Sequence, residues 1–317
     1  MIPIEKLRAV RSLIVHDNCP DGIASAVVLR DALGGIPVRY LQYGTREHLE
    51  LPAEPGLLFG DFSPHPDRVD DFASAGTIVL DHHRTAKRIV DAMGENGVFG
   101  DEAAEPGISG AVLAHRYVGL PIADQEATRR APTRAVAERF ARLVGVRDTW
   151  QRTSAEWADA CALSQMLLLR PKSWWHEKTF QDLEGELEEI LEFGRLLQAK
   201  EEERVRRAID GGYRFTTGDG RRVLAVQGVS VTSDGAELLG DSVDLLVGFS
   251  YVVEDGAPKI KLSLRSHTGV DCAAIAKAHG GGGHTAAAGC SMPVAAEDPH
   301  PFAFVERLLD VPHEESA

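Results

Sequence analysis

The chain has 317 residues, 44% hydrophobic and 26% charged, which is ordinary for a globular protein and long enough for two domains. Its formal net charge of −14 argues against a grip on long duplex DNA, which wants a basic face, yet leaves room for an anionic substrate held locally by metal ions or a few arginines. Four scattered cysteines (Cys19, Cys161, Cys272 and Cys290) without a C-x-x-C pair argue against a disulfide framework or a closed structural zinc site, and no run approaches the roughly 20 apolar residues of a spanning helix.

The first half alternates. Leu13–Val15 reads as a strand and Gly22–Leu33 as a helix stopped by Gly34-Gly35. Val38–Tyr43, Leu57–Phe59 and Thr77–Leu80 read as strands, with helices over Asp67–Ala73 and Thr85–Met93. That rhythm predicts α/β architecture with a doubly wound parallel sheet. Residues 108–146 are mostly helical in pattern and lead through Arg147 to Asp148. Glu184–Ile209 is a long charged helix with a leucine-rich stripe, read as a linker over 184–210 between an N-terminal domain (1–183) and a smaller C-terminal mixed α/β domain (211–317). In that last part Arg221–Gln227 reads as a strand. Leu245–Val253 and Lys259–Arg265 flank Asp255-Gly256 as a hairpin, and Val270–His279 reads as a helix. The tail after Pro312 is expected to fray, and the N-terminus lacks the apolar run of a signal peptide, so a cytoplasmic protein without membrane contact is expected.

Strand after strand ends on a ligand-type side chain. Leu13-Ile14-Val15 runs into His16-Asp17, with Asp21 close behind; Leu57-Leu58-Phe59-Gly60 runs into Asp61; Thr77-Ile78-Val79-Leu80 runs into Asp81-His82-His83. With Asp148 these form a mixed carboxylate and imidazole set, which suits Mn²⁺ and tolerates Mg²⁺, Co²⁺ or Zn²⁺. Two such ions about 3.5–4 Å apart would share a carboxylate, activate a water and neutralise a phosphate. Singly, Asp21 and Asp61 read equally well as helix N-caps; the recurrence at successive strand ends favours the metal reading.

Asp81-His82-His83 after a strand resembles the signature of the DHH phosphoesterase superfamily, and Gly281-Gly282-Gly283-His284-Thr285-Ala286-Ala287-Ala288-Gly289 looks like the glycine loop of its DHHA1 domain. The motif order matches across essentially the whole chain, as in RecJ and oligoribonuclease-like members. The resemblance implies that His16 and Asp21 bind metal, that Asp61 bridges two ions, that His82 is a ligand and Asp148 completes the second ion's shell. It makes His83 face the scissile phosphate and Asp81 orient a histidine. The first motif, His16-Asp17-Asn18-Cys19-Pro20-Asp21-Gly22, departs from the family's alternating carboxylates, so one ligand position falls to Asp17, the favoured choice, or to Cys19. Arg265 and the run Gly281, Gly282, Gly283 and His284 would hold substrate phosphate or base, the glycines by close backbone approach and a following helix by its dipole.

The implied activity is two-metal, most simply Mn²⁺-dependent, hydrolysis of phosphate esters in short oligonucleotides or linear or cyclic dinucleotides, or of a nucleoside 3′,5′-bisphosphate. The expected partners are nucleotide or short nucleic-acid substrates, neither long duplex DNA nor a membrane, and the resemblance allows a homodimer. The alternatives are an inorganic polyphosphate or pyrophosphate hydrolase, against which the glycine loop speaks, and a non-catalytic nucleotide-binding module. Trp174-Trp175 could stack bases but reads more simply as a packed pair between helices.

Overall fold

A computed structural model describes residues 2–125, 131–228, 232–254, 256–294 and 302–309; the His284 side chain, Asp255 and the tail after Pro312 lie outside the described residues. The chain divides into two units, Met1–Gln198 and Ala199–Ala317, with the boundary inside one helix, Phe180–Asp210. Among the described residues no helix is long and apolar enough to cross a membrane.

The first unit is built on a five-stranded parallel sheet of β1 (Ser12–His16), β2 (Val38–Leu41), β3 (Leu57–Gly60), β4 (Ile78–Asp81) and β5 (Gly97–Phe99), in the order β2-β1-β3-β4-β5. That is the doubly wound arrangement expected. Every residue of β3 and β4 is buried, as parallel strands covered on both faces must be, which explains their unbroken apolar runs. One core layer carries Leu13, Val27, Leu58, Leu80, Phe140 and Trp175, and the other Ile14, Phe59, Phe62, Phe72 and Val79.

Several boundaries differ from the sequence pattern, and the differences matter near the strand ends. The second helix begins at Pro20 rather than Gly22, because proline's fixed φ suits a first helical turn; Asp21 therefore stands inside that turn. β2 stops at Leu41, so Tyr43 belongs to a loop and not to a strand. β4 begins at Ile78 and ends on Asp81, while Asp67–Ala73 and Thr85–Met93 each open with a 3₁₀ turn before a short α-helix. The three-residue β5 was too short to show as a pattern.

The second unit is a mixed sheet of β6 (Tyr213–Thr216), β7 (Arg222–Gln227), β8 (Leu245–Glu254), β9 (Ala257–Arg265), β10 (Gly282–His284) and β11 (Ala287–Pro293), ordered β10-β11-β9-β8-β7-β6. Among the described residues of this unit, only β7 and β8 pair in parallel. Helices Cys272–Ala278 and Ala303–Leu309 contribute Ile275, Phe304 and Leu308 to one core, and Val205 and Ile209 close the other. β6, absent from the sequence reading, is an edge strand whose alternate residues are exposed.

Candidate metal centre

In a sheet ordered 2-1-3-4-5 the strand order reverses between β1 and β3, and the crevice outside the carboxyl ends there is where doubly wound folds bind ligands. His16 is the last residue of β1, Asp61 comes directly after β3, and Asp81 closes β4 with His82 and His83 behind it. Asp61 has a left-handed backbone, φ +54°, which a residue other than glycine adopts at a cost of about 1–3 kcal/mol. Its N–H still donates to Leu80 O at 2.9 Å, so the strained turn is pinned to the neighbouring strand.

The side chains converge. His82 Nε2 lies 3.1 Å from Asp61 Oδ1, 3.4 Å from Asp21 Oδ2 and 3.4 Å from Asp148 Oδ2. Asp21 and Asp61 are fully buried, and the Asp148 side chain is 26% exposed. Three overlapping sets could each hold a cation: His16, Cys19 and Asp61; Asp61, His82 and His83; and Asp21, His82 and Asp148. Asp61 and His82 each belong to two of them. One ring proton cannot satisfy three carboxylates, and buried carboxylates are costly unless paired or bound to metal. His16 Nδ1 and Asp61 Oδ2 face each other at 3.7 Å, too far to hydrogen-bond, and both are buried without a partner among the described residues. Buried oxygen and nitrogen donors aimed at a shared gap are what a divalent ion would satisfy, so the residues present fit a metal.

Asp21 is held from the far side. Its carboxylate accepts from Ser109 Oγ at 3.0 Å, Gly110 N at 2.6 Å and Ala111 N at 2.8 Å, buried donors at the start of the helix Gly110–Ala114, where backbone N–H groups lack intrahelical partners. Asp81 supports His83. One oxygen accepts from His83 N at 2.9 Å and faces His83 Nδ1 at 2.7 Å; the other accepts from Ser63 Oγ at 2.5 Å and Tyr43 OH at 3.1 Å. Asp81 thus fixes the His83 ring with Nδ1 inward, leaving Nε2 for other partners. The Tyr43 ring also packs against His16, with centroids 5.3 Å apart, and against Phe62 at 4.2 Å. The sequence reading missed Tyr43, Ser63, Phe62 and the Ser109–Ala111 turn. Only the Asp61-Phe62-Ser63 adjacency could have signalled any of them.

In the first motif the geometry goes against the favoured choice. The Asp17 carboxylate is paired with Lys172 and accepts from Asn18 N, and it joins none of the three sets. Cys19 joins His16 and Asp61 instead. The reason is local: Asn18 takes a left-handed φ of +53°, which turns the chain so that the cysteine and not Asp17 comes beside Asp61.

The electrostatics are those of crowded carboxylates. Burial, with Asp61 beside it, pushes the Asp21 carboxyl up; burial with Asp21 and Asp61 pushes Asp148 up to about 8. Burial opposes charge on His82, but its bonds to Asp21 and Asp61 outweigh this and carry it up to about 12. His83 is likewise held up at about 9 by Asp81 against burial. Burial acts to raise Asp61, yet His16 and His82 together keep it below the usual carboxylate range. Burial and the three carboxylates push the Cys19 thiol well up. The pattern is of groups that retain protons where cations would be welcome.

In the second unit, Arg265 ends β9 opposite Ala287, with its Nη1 donating to Ser263 Oγ at 3.1 Å and Leu264 O at 2.9 Å. The glycine run does not lead into a helix, contrary to expectation: Gly282–His284 is a strand that turns directly back as β11. A Cβ on Gly281 would meet Gly289 O at 2.2 Å, and one on Gly283 would meet Ala288 Cα at 2.5 Å. Those glycines are required by the close approach of the two strands, and Gly282 alone faces open space. Cys272 N bonding Thr285 O and Ser266 N bonding Ala286 O tie the hairpin to its neighbours. Of the tryptophan pair, Trp175 is fully buried and Trp174 is flanked by Arg170 and Lys178.

Residues 236–309 match the DHHA1 domain family. The chain is similar in structure to the DHH domain of a member of a ribosomal protein family, at 13% identity and a TM-score of 0.51, covering 96% of this chain and 88% of that one. The fold is therefore that of DHH-domain proteins. Weaker likenesses join it to a pGpG-specific phosphodiesterase, PggH, from Vibrio cholerae (12% identity, TM-score 0.47, 94% and 98% covered). RecJ in complex with Mn²⁺ from Thermus thermophilus is also similar (17%, 0.49, 91% and 50%). No curated protein matches the sequence.

Proposed function

We propose that this chain, which has the DHH fold and carries a C-terminal DHHA1 domain, is a metal-dependent phosphoesterase acting on short oligonucleotides or dinucleotides. The observation that carries the reading is the unpartnered pair His16 Nδ1 and Asp61 Oδ2, 3.7 Å apart at the switch point of the sheet, inside three overlapping ligand sets. One ion would be held by His16, Cys19 and Asp61 and a second by Asp21, His82 and Asp148, with Asp61 between them. The oxygen and imidazole donors of Asp21, His82 and Asp148 favour Mn²⁺ at the second position, whereas the Cys19 thiolate would soften the first. Such ions supply Lewis acidity, lowering the pKa of water and neutralising a phosphoryl group.

The chain's own residues do the rest. The Ser109–Ala111 turn holds Asp21 in place, and the left-handed turn at Asp61 aims its carboxylate into the crevice. Asp81 fixes the His83 ring through Nδ1, so that its other nitrogen, Nε2, would face a substrate phosphate and pass a proton to it. In the second unit, Arg265 at the end of β9 and Gly282 on the glycine hairpin would offer a guanidinium and an open backbone to a nucleotide's phosphate or base. The DHHA1 match supports nucleotide substrates over inorganic polyphosphate.

The test is product analysis on a panel of dinucleotides, cyclic dinucleotides, longer oligomers, a nucleoside 3′,5′-bisphosphate and polyphosphate, with Mn²⁺ and with Asp61→Ala beside the wild type. Dinucleotide cleavage lost in Asp61→Ala is expected. Phosphate release from polyphosphate alone would overturn the substrate class, and full activity in Asp61→Ala would overturn the metal assignment.

A further inference from the structure

Among the described residues three besides glycine hold a left-handed backbone: Asn18, Asp61 and Trp150. Asn18 precedes Cys19, and Asp61 is the shared carboxylate. Trp150, at φ +54°, stands two residues beyond Asp148. All three strained positions therefore border the same cluster. Strain persists where the surroundings enforce it, and it concentrates where a side chain must be aimed. For Asp61 the aim is plain. For Trp150 the metal chemistry offers no account.

A cleft of about 220 Å³ lies there. Its lining includes Asp21 and Asp148, the carboxylates grouped with His82. Trp150, Arg147, Leu167 and Leu168 line the same cleft. The volume is below the roughly 300–1,000 Å³ of pockets for drug-sized ligands, and so suits a fragment such as one base with part of its sugar. Trp150 is 38% exposed, whereas Trp175 is fully buried. The Arg147 guanidinium sits over the Trp150 ring at 4.2 Å and over Trp157 at 5.4 Å, which braces the indole. An exposed, braced indole beside apolar side chains is of little use to a phosphate chain, which has no π face. It is what a nucleobase would stack on.

We infer that this cleft is a nucleobase subsite with Trp150 as its stacking platform, seating the base of a nucleotide whose phosphate is directed to the metal site of Asp21 and Asp148. The inference rests on the phosphoesterase reading for the position of that phosphate. Trp150 here is a specificity-determining contact and takes no part in bond breaking.

The test uses the full chain with Mn²⁺ and compares the calorimetric affinity of adenosine 5′-monophosphate with that of ribose 5-phosphate, which lacks the base. The monophosphate should bind about 5- to 100-fold more tightly, the usual worth of one base stacked on an aromatic ring. Trp150→Ala should erase that preference and leave ribose 5-phosphate binding unchanged; Trp150→Phe should restore most of it. Equal binding of the two ligands by the wild type overturns the subsite, and that comparison does not depend on any variant folding. A preference that survives in Trp150→Ala overturns it as well. Dinucleotide hydrolysis measured on the same samples separates the two readings: hydrolysis without base preference removes the subsite and keeps the phosphoesterase, whereas base preference without hydrolysis does the reverse.

Discussion

Gly110→Ala adds one carbon at the point where two supports of the metal centre meet. The new Cβ would stand 2.3 Å from Asp61 Cβ, 2.8 Å from Asp61 Cα and 2.9 Å from Ser25 Oγ. Carbons rest at about 3.5–4.0 Å, so Asp61 or the helix Gly110–Ala114 must move by about 1 Å. Neither is the far end of a flexible chain. The helix is bound to Asp21 by three hydrogen bonds, and Asp61 is pinned to Leu80. Two effects oppose each other. Alanine's helix propensity and lower unfolded-state entropy favour the variant by about 1 kcal/mol. Overpacking costs about 1–3 kcal/mol, and loosening one bond to the Asp21 carboxylate adds about 1.5–3 kcal/mol, so the clash wins. At about 2–4 °C per kcal/mol for a unit of this size, the melting temperature of the metal-free protein should fall by several degrees. Displacement of Asp61 also weakens metal binding, so the rise in melting temperature on adding Mn²⁺ should shrink by more than half. Differential scanning fluorimetry with and without Mn²⁺ reads both. Gly185→Ala is the control, since nothing lies within 4 Å of its Cβ on an exposed helical face; it should hold or raise the melting temperature. Retention by Gly110→Ala of both the wild-type melting temperature and the full Mn²⁺ response would refute the reasoning.

Asp81→Asn should lower metal affinity or turnover about 10- to 100-fold with the fold retained, because it disturbs the partner that orients His83; steady-state kinetics read it, and an unchanged rate would contradict the role. Cys19→Ser should cost more affinity for Cd²⁺ than for Mn²⁺, since the thiolate is the soft member of its set; equal losses by competition titration would remove Cys19 from the site. The metal-free protein should lose stability as pH rises. His83 is raised from 6.5 to about 9, so its contribution is complete below pH 6.5 and disappears through pH 9; Asp148, raised from 3.8 to about 8, falls away in the same direction. Asp61 is shifted down and acts only below pH 3.8, outside this window. Chemical denaturation should therefore give a less stable metal-free protein at pH 9 than at pH 6, and Mn²⁺ should reverse the loss while releasing protons. A flat profile would place the proton-retaining groups elsewhere.

Much of this centre was legible because parallel strands buried on both faces print continuous apolar runs, which make the first polar residue at the end of each run conspicuous: His16, Asp61 and Asp81 were visible for that reason. Asp148 stood out by its motif position and not by any strand. The supporting residues were not legible. Tyr43 reaches Asp81 only because β2 stops two residues short of it, and the Asp21 cradle comes from a helix start 88 to 90 residues away along the chain. The exchange of Asp17 for Cys19 turns on one left-handed residue, Asn18, whose conformation no spacing rule anticipates. The glycine run was read as a phosphate cradle from the sequence alone; that two of its residues are also demanded by strand-to-strand contact shows only once β10 and β11 are paired. Trp150 carried no pattern, since an exposed tryptophan after a helix looks like any other until its backbone and its cleft are seen.

Anomalous diffraction at the manganese edge, on crystals of the full chain grown with Mn²⁺, puts the convergence of these side chains to its hardest test. Two peaks are expected on either side of Asp61, one among His16, Cys19 and Asp61 and the other among Asp21, His82 and Asp148. Peaks lying elsewhere, with none touching Asp61, would contradict it.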